Sequence, residues 1–287
     1  MKTFYLPEQS GSLTALAWSP SGQQIAGVCE DGTAVVWQVA TGNVIFARRM
    51  ARAKLLTVTW SENGRCLAIG GENNAFTMIQ VRDGALVFSQ VLDASVQKIS
   101  FAPRGRRFLV AAGQTISVYC EEHREPIQLA QPSPVIDVAW SPSGGRFAAV
   151  CQHGDVFIYS VLRKRTVYTL TEEDISEPCS IAWNSDGRDV AVGTSRGTIQ
   201  IYDGSRGSKF TTYTLSSHRI SHLCWGNPCL AALDSRAEMT LWDLLPREHS
   251  AMLAHRSPSA QQALAFSPNG QQIATGCQHM VSIAPVG

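Results

Sequence analysis

Charge is scarce and nearly balanced in this sequence. Asp, Glu, Lys and Arg make up 16% of its 287 residues, and 24 basic against 23 acidic side chains leave a formal charge of +1. A surface without a dominant sign gives no global pull toward a polyanion or an anionic membrane. No run approaches the eighteen or so apolar residues of a membrane-spanning helix, and Phe4-Tyr5-Leu6 is too short for a secretory leader. A soluble protein of the cytoplasm with no membrane attachment is the expectation. No phosphate-cradling GxxxxGK[ST] occurs and no compact Ser, His and Asp set is visible, so an enzyme is not expected. The eight cysteines stand singly in strand-like runs without a CxxC, which suits buried thiols rather than a disulfide framework. Linkers rich in Pro, Ser or charge are also missing, so residues 1–287 are read as a single domain, and 44% hydrophobic residues are ample for a core.

What the sequence has is a recurring cue. Leu16-Ala17-Trp18 returns as Val58-Thr59-Trp60, Ile99-Ser100-Phe101, Val138-Ala139-Trp140, Ile181-Ala182-Trp183, Leu223-Cys224-Trp225 and Leu264-Ala265-Phe266, with 39 to 43 residues between successive aromatics. A period near forty marks a repeat of four strands per unit. Gly22, Gly64, Gly105, Gly144, Gly187 and Gly270 each lie four residues past the aromatic, where a turn needs positive φ. The sixth unit departs, since Trp225-Gly226-Asn227-Pro228 runs at once into Cys229-Leu230. Within the first unit, Gln24 to Cys29 and Ala34 to Trp37 flank Asp31-Gly32, a hairpin signal, and Val44-Ile45-Phe46 supplies a fourth strand.

A large side chain recurs in the third strand as Trp37, Ile79, Tyr119, Tyr159, Tyr202 and Trp242. With Trp242-Asp243, Tyr202-Asp203 and Asp31-Gly32-Thr33 in register, the chain resembles the WD-repeat β-propeller family over essentially its whole length. The resemblance implies an all-β, seven-bladed propeller of four-stranded antiparallel blades. The family's Gly-His is missing from the start of each unit, so its His-Ser-Asp-Trp network is expected to be absent, with His218 and His255 two residues from the usual place. The last unit lacks a fourth strand, while Lys2 to Leu6 stand before Trp18 as outer strands stand before the other aromatics. The amino-terminal strand is therefore expected to complete the seventh blade and remove the open edge.

Three candidate sites weaken on inspection. Gly193-Thr194-Ser195-Arg196-Gly197 has the letters of a nucleophile elbow but falls in a hairpin rather than a strand-to-helix turn. His218 and His222 would stand about 13 Å apart on a strand, too far to share one zinc, and His222 with Cys224 makes only two ligands. Cys29, Cys151 and Cys277 hold equivalent second-strand positions, which fits packing of a small side chain. No metal and no cofactor is expected.

In a four-strand meander the d-to-a and b-to-c connections emerge on one face, here the first face, and the a-to-b and c-to-d connections on the other. Arg48, Arg49, Arg52 and Lys54 fall in the first d-to-a connection, and Glu172, Glu173 and Asp174 in the fourth. His153, Arg196, Arg236 and His279 belong to b-to-c turns on the same face. Separate basic and acidic sectors would orient a protein partner of opposite pattern. The resemblance implies a non-catalytic, monomeric scaffold or adaptor that binds a protein or peptide through such a face. A second reading is an anion or nucleic acid held on the opposite face by Arg104, Arg106, Arg107, Arg163, Lys164 and Arg165. A third is a regulatory subunit of an enzyme complex.

Overall fold

A computed structural model describes residues 2–6, 11–104, 106–120, 125–170, 177–226, 229–243, 251–254 and 262–286. Its strands form seven four-stranded antiparallel sheets arranged as the blades of a propeller. The inner strands are Leu13–Trp18, Leu55–Trp60, Val96–Phe101, Val135–Trp140, Pro178–Trp183, Ile220–Trp225 and Ala263–Phe266. Each neighbours the next, and that of blade 7 neighbours that of blade 1. Six of the seven blades follow chain order from inner to outer strand.

Burial tracks position in the blade. The second strands, such as Gln24–Cys29 and Arg146–Cys151, are buried at nearly every residue because neighbouring blades cover both of their faces. Their sequences are accordingly continuous small and apolar runs rather than alternating ones. The outer strands, such as Val44–Arg49 and Leu86–Val91, lie largely in solvent. Of the large third-strand side chains, Trp37, Ile79, Tyr159, Tyr202 and Trp242 are at most 5% exposed, and Tyr119 is half-buried.

The turns follow the glycines. Gly22, Gly64, Gly144, Gly187 and Gly270 share φ between 67° and 74°; Gly105 lies outside the described residues. The Asp31-Gly32 hairpin is doubly constrained: Gly32 has φ 88°, and a Cβ there would lie 2.1 Å from the Ala51 carbonyl oxygen. The elbow-like stretch spans the hairpin between strands Asp189–Thr194 and Thr198–Asp203, as expected of a turn.

Tryptophans join blades by more than apolar area. Trp18 Nε1 donates to Ala265 O at 3.0 Å, Trp60 Nε1 to Ala17 O at 3.0 Å and Trp140 Nε1 to Ser100 O at 2.9 Å, each bond crossing a blade boundary. The indole thus buries its ring while satisfying its one donor. Trp183 Nε1 is buried without a hydrogen-bond partner among the described residues.

The ends meet as expected. Strand Lys2–Tyr5 pairs antiparallel with Met280–Pro285, with Lys2 opposite Ile283 and Tyr5 opposite Met280. Phe4 is 4% exposed, and Trp37 Nε1 of blade 1 donates to Tyr5 O at 3.1 Å, so the strand is held by blade 1 as well as blade 7.

Candidate functional site

The first face is assembled where d-to-a connections lie over b-to-c hairpins. In blade 1, Met50 N donates to Gly32 O at 2.8 Å, Glu30 N to Ser12 O at 2.9 Å, and Arg49 Nε to Asp31 O at 3.0 Å. Asp31 braces its own turn by accepting from Thr33 N and Thr33 Oγ1. On the other face Val39 N donates to Gln23 O and Val161 N to Gly145 O, which sets the c-to-d turns against the a-to-b turns. The division of connections between faces is therefore the one that strand polarity implies.

The basic sector needs one correction. Arg48 and Arg49 belong to the outer strand Val44–Arg49 rather than to the connection, because that strand stays paired up to Thr33 opposite Arg49. They stand exposed at its first-face end, with Arg52 exposed in the connection that follows. Lys54 is engaged, its Nζ 2.8 Å from Glu30 Oε1. Glu172, Glu173 and Asp174 lie outside the described residues, so the acidic sector carries no structural description. His153 and Arg236 line cavities of about 710 Å³ and 560 Å³ respectively on this face. Arg196 is exposed in its hairpin, and His279 O accepts from Leu6 N at 2.9 Å in the seventh blade.

On the opposite face, Arg104 and Arg106 are exposed in the a-to-b turn of blade 3, where Arg107 starts the second strand. Arg163 and Lys164 are exposed in the c-to-d turn of blade 4, and Arg165 starts its outer strand. Neighbouring blades meet at such turns: Arg146 Nη1 donates to Gly204 O at 3.0 Å across the next boundary, and Arg107 holds the register position equivalent to Arg146. The six cations thus flank one blade boundary on an exposed surface.

Sequence reading missed a ring of side chains three residues before each aromatic: Ala15, Thr57, Lys98, Asp137, Ser180, His222 and Ala263. Six inner strands carry a register shift at this point, as between Val135 and Asp137. A bulge re-aims a side chain and unpairs backbone groups. Four ring members then bind the next blade. Thr57 Oγ1 accepts from Ile99 N at 3.1 Å, Asp137 Oδ2 from Ile181 N at 3.1 Å, and Ser180 Oγ from Leu223 N at 2.9 Å. Asp137 also accepts from Ser180 Oγ at 3.0 Å and Val138 N at 2.9 Å, and Lys98 Nζ stands 3.2 Å from its Oδ1.

Lys98, Asp137 and His222, with Arg219 and Gln97, line a channel cavity of about 200 Å³. His222 is half-buried by accessible area because the channel itself is open, yet protein surrounds its ring. That enclosure, then the Lys98 cation, pushes its pKa down to about 4, with Arg219 adding to the fall and Asp137 opposing it. Its Nδ1 is buried without a partner among the described residues. Above its ordinary pKa near 6.5 the neutral ring costs nothing extra. As pH falls from about 6.5 to about 4 only the unfolded chain takes the proton, so stability is lost over that window. The wild type should lose on the order of 3 kcal/mol more than His222→Gln across it, read by urea titrations at both ends.

The thiols behave as packing groups. Burial first, then the Asp31 and Glu30 carboxylates, push Cys29 up to about 12, and burial with Asp155 pushes Cys151 up to about 11. All eight cysteines are free. A thiol so rarely ionised is a poor nucleophile and metal ligand. No group of three or more metal-ligating side chains is present among the described residues.

One histidine-to-aspartate contact stands at the start of the sixth unit. His218 Nδ1 lies 3.9 Å from Oδ2 of buried Asp234, whose Oδ1 accepts from Arg236 N and Glu238 N. A model of the anaphase-promoting complex subunit 4 WD40 domain matches residues 2–63 and 162–228. The match covers less than half of the chain, and the seven-sheet ring supplies the architecture. The chain is a seven-bladed β-propeller similar to WD-repeat domains.

Curated relatives agree with a propeller built into larger proteins and complexes. Telomerase protein component 1 of Rattus norvegicus is 27% identical over 75% of this chain, which spans only 8% of that protein's length. The guanine nucleotide-binding protein subunit beta of Oryza sativa subsp. indica is 23% identical over 94% of this chain and 79% of its own. The ribosome biogenesis protein BOP1 of Mus musculus is 25% identical over 93% of this chain and 37% of its own. WD-repeat propellers of this kind serve as protein-interaction scaffolds or subunits of complexes. No helix among the described residues of this propeller is long and apolar enough to cross a membrane.

Proposed function

We propose that residues 1–287 form one non-catalytic interaction domain that binds a protein or peptide partner on the first face, as a monomer in the cytoplasm. One observation carries this reading: two cavities, of about 710 Å³ and 560 Å³, are lined by the connections of this face and by the starts of the inner strands. Concave ground held by hairpins braced on adjacent connections is preorganised, so a partner pays little ordering entropy on binding. The exposed guanidinium groups of Arg48, Arg49 and Arg52 sit at the rim, where charge mainly steers encounter.

Reversing Arg48, Arg49, Arg52 and Lys54 to Glu should weaken capture of the native partner at least about tenfold and flatten its salt dependence, through the association rate. Affinity purification from the source cells with mass spectrometry, wild type against variant, reads this out. Unchanged recovery and salt response would remove the basic rim from the interface. Neutralising Arg104, Arg106, Arg107, Arg163, Lys164 and Arg165 is expected to leave capture intact, since that cluster lies on an exposed surface of the opposite face. Work as one subunit of a larger assembly is the second reading, favoured by relatives named as subunits, among them a guanine nucleotide-binding protein subunit and a translation initiation factor 3 subunit.

A further inference from the structure

We infer that the channel mouth on the first face takes a carboxylate of the bound partner, an acidic side chain or a terminal carboxylate, between Arg219, Lys98 and His222. The inference rests on the first-face reading and names the chemistry at its centre. Its ground is an imbalance of hydrogen-bonding capacity inside the channel. A carboxylate offers about four acceptor sites. Those of Asp137 are engaged by Lys98 Nζ, Val138 N, Ser180 Oγ and Ile181 N. Little acceptor capacity is left at that end of the cavity.

Donors, by contrast, are in surplus. An ammonium carries three N–H groups and a guanidinium five. Lys98 spends one on Asp137, and the Arg219 guanidinium lies against the Cys179 thiol. His222 Nδ1, without a partner among the described residues, is a further donor in the tautomer that places its proton there. Two cations and one committed carboxylate leave the chamber with a net positive charge. One mouth is balanced, since Glu30 pairs with Lys54 and Asp234 lies in the same cavity as Arg236, while exposed Glu177 lines the other mouth beside the same Arg219. An incoming carboxylate therefore meets the unspent N–H groups of Lys98, Arg219 and His222.

Size admits such a ligand. The chamber of about 200 Å³ holds roughly six or seven waters at about 30 Å³ each, ample room for a carboxylate-bearing side chain. Gln97 lines the chamber and both mouths, so the three spaces adjoin.

The test uses the full chain and glutarate as probe at fixed ionic strength. The readout is the histidine Cε1–Hε1 NMR spectrum, with the His222 signal assigned by its loss in His222→Gln. Glutarate should move that signal saturably in the millimolar range, and Arg219→Gln should weaken binding at least about tenfold while melting like the wild type. Glutaramide and butylammonium should leave the signal in place. No glutarate response, an equal response to either control, or tighter binding of inorganic phosphate than of glutarate would each overturn the carboxylate assignment. The two readings fail separately. If glutarate does not bind but reversal of the basic rim abolishes partner capture, only this inference falls; if glutarate binds but rim reversal changes nothing, the channel site stands and the rim does not.

Discussion

Removal of residues 1–6 is expected to open the seventh blade and to cost well over the stability of any surface change. Phe4 and Leu6 are 4% and 7% exposed, and their burial alone is worth about 3–6 kcal/mol at roughly 1.5–3 kcal/mol per large apolar side chain. The loss also unpairs the ladder from Lys2 opposite Ile283 to Tyr5 opposite Met280, and takes from Trp37 Nε1 its acceptor at Tyr5 O. A strand whose edge groups are newly bare then becomes a template for pairing with another chain. Thermal melting should show a large drop and size-exclusion chromatography new association. An unchanged melting point would mean that the strand does not seal the ring.

Trp140→Ala should cost about 3–5 kcal/mol, the usual penalty for emptying a buried tryptophan site. The side chain is 6% exposed, packs edge-on to Phe147 with centroids 5.7 Å apart, and reaches back to blade 3 through Ser100 O. Denaturant titration should show the midpoint falling with little change in slope, since the ring either closes or does not. The comparison of Trp140→Phe with Trp183→Phe separates the indole N–H from the ring. The first deletes a donor that is bonded and should lose about 1 kcal/mol more than the second, whose N–H finds no partner among the described residues. Equal losses would show that the bond between blades contributes nothing.

Much of the ring was legible because its causes are local. The Asp31-Gly32 hairpin needs positive φ and no Cβ, whichever blade it serves, and the turn glycines after each aromatic obey the same constraint. The place of Lys2 to Leu6 could be read from their spacing to Trp18. Arg48 and Arg49 were misplaced because sequence does not show where an outer strand with only one paired edge stops. The ring of Lys98, Asp137, Ser180 and His222 was visible only as a shared register three residues before an aromatic. Nothing in residues so unlike one another suggests a common task, and the bulge that turns each of them exists only in the paired strand.

The sequence by itself determined how many blades form, where each turns and which strand completes the last, because period, glycine and strand length act within one repeat. Only the tertiary structure decided that Lys98 meets Asp137, that Asp137 meets Ser180, and that His222 shares their channel. Those residues sit in different blades about forty positions apart, and their contact depends on seven sheets closing around one axis, a condition that no single repeat contains.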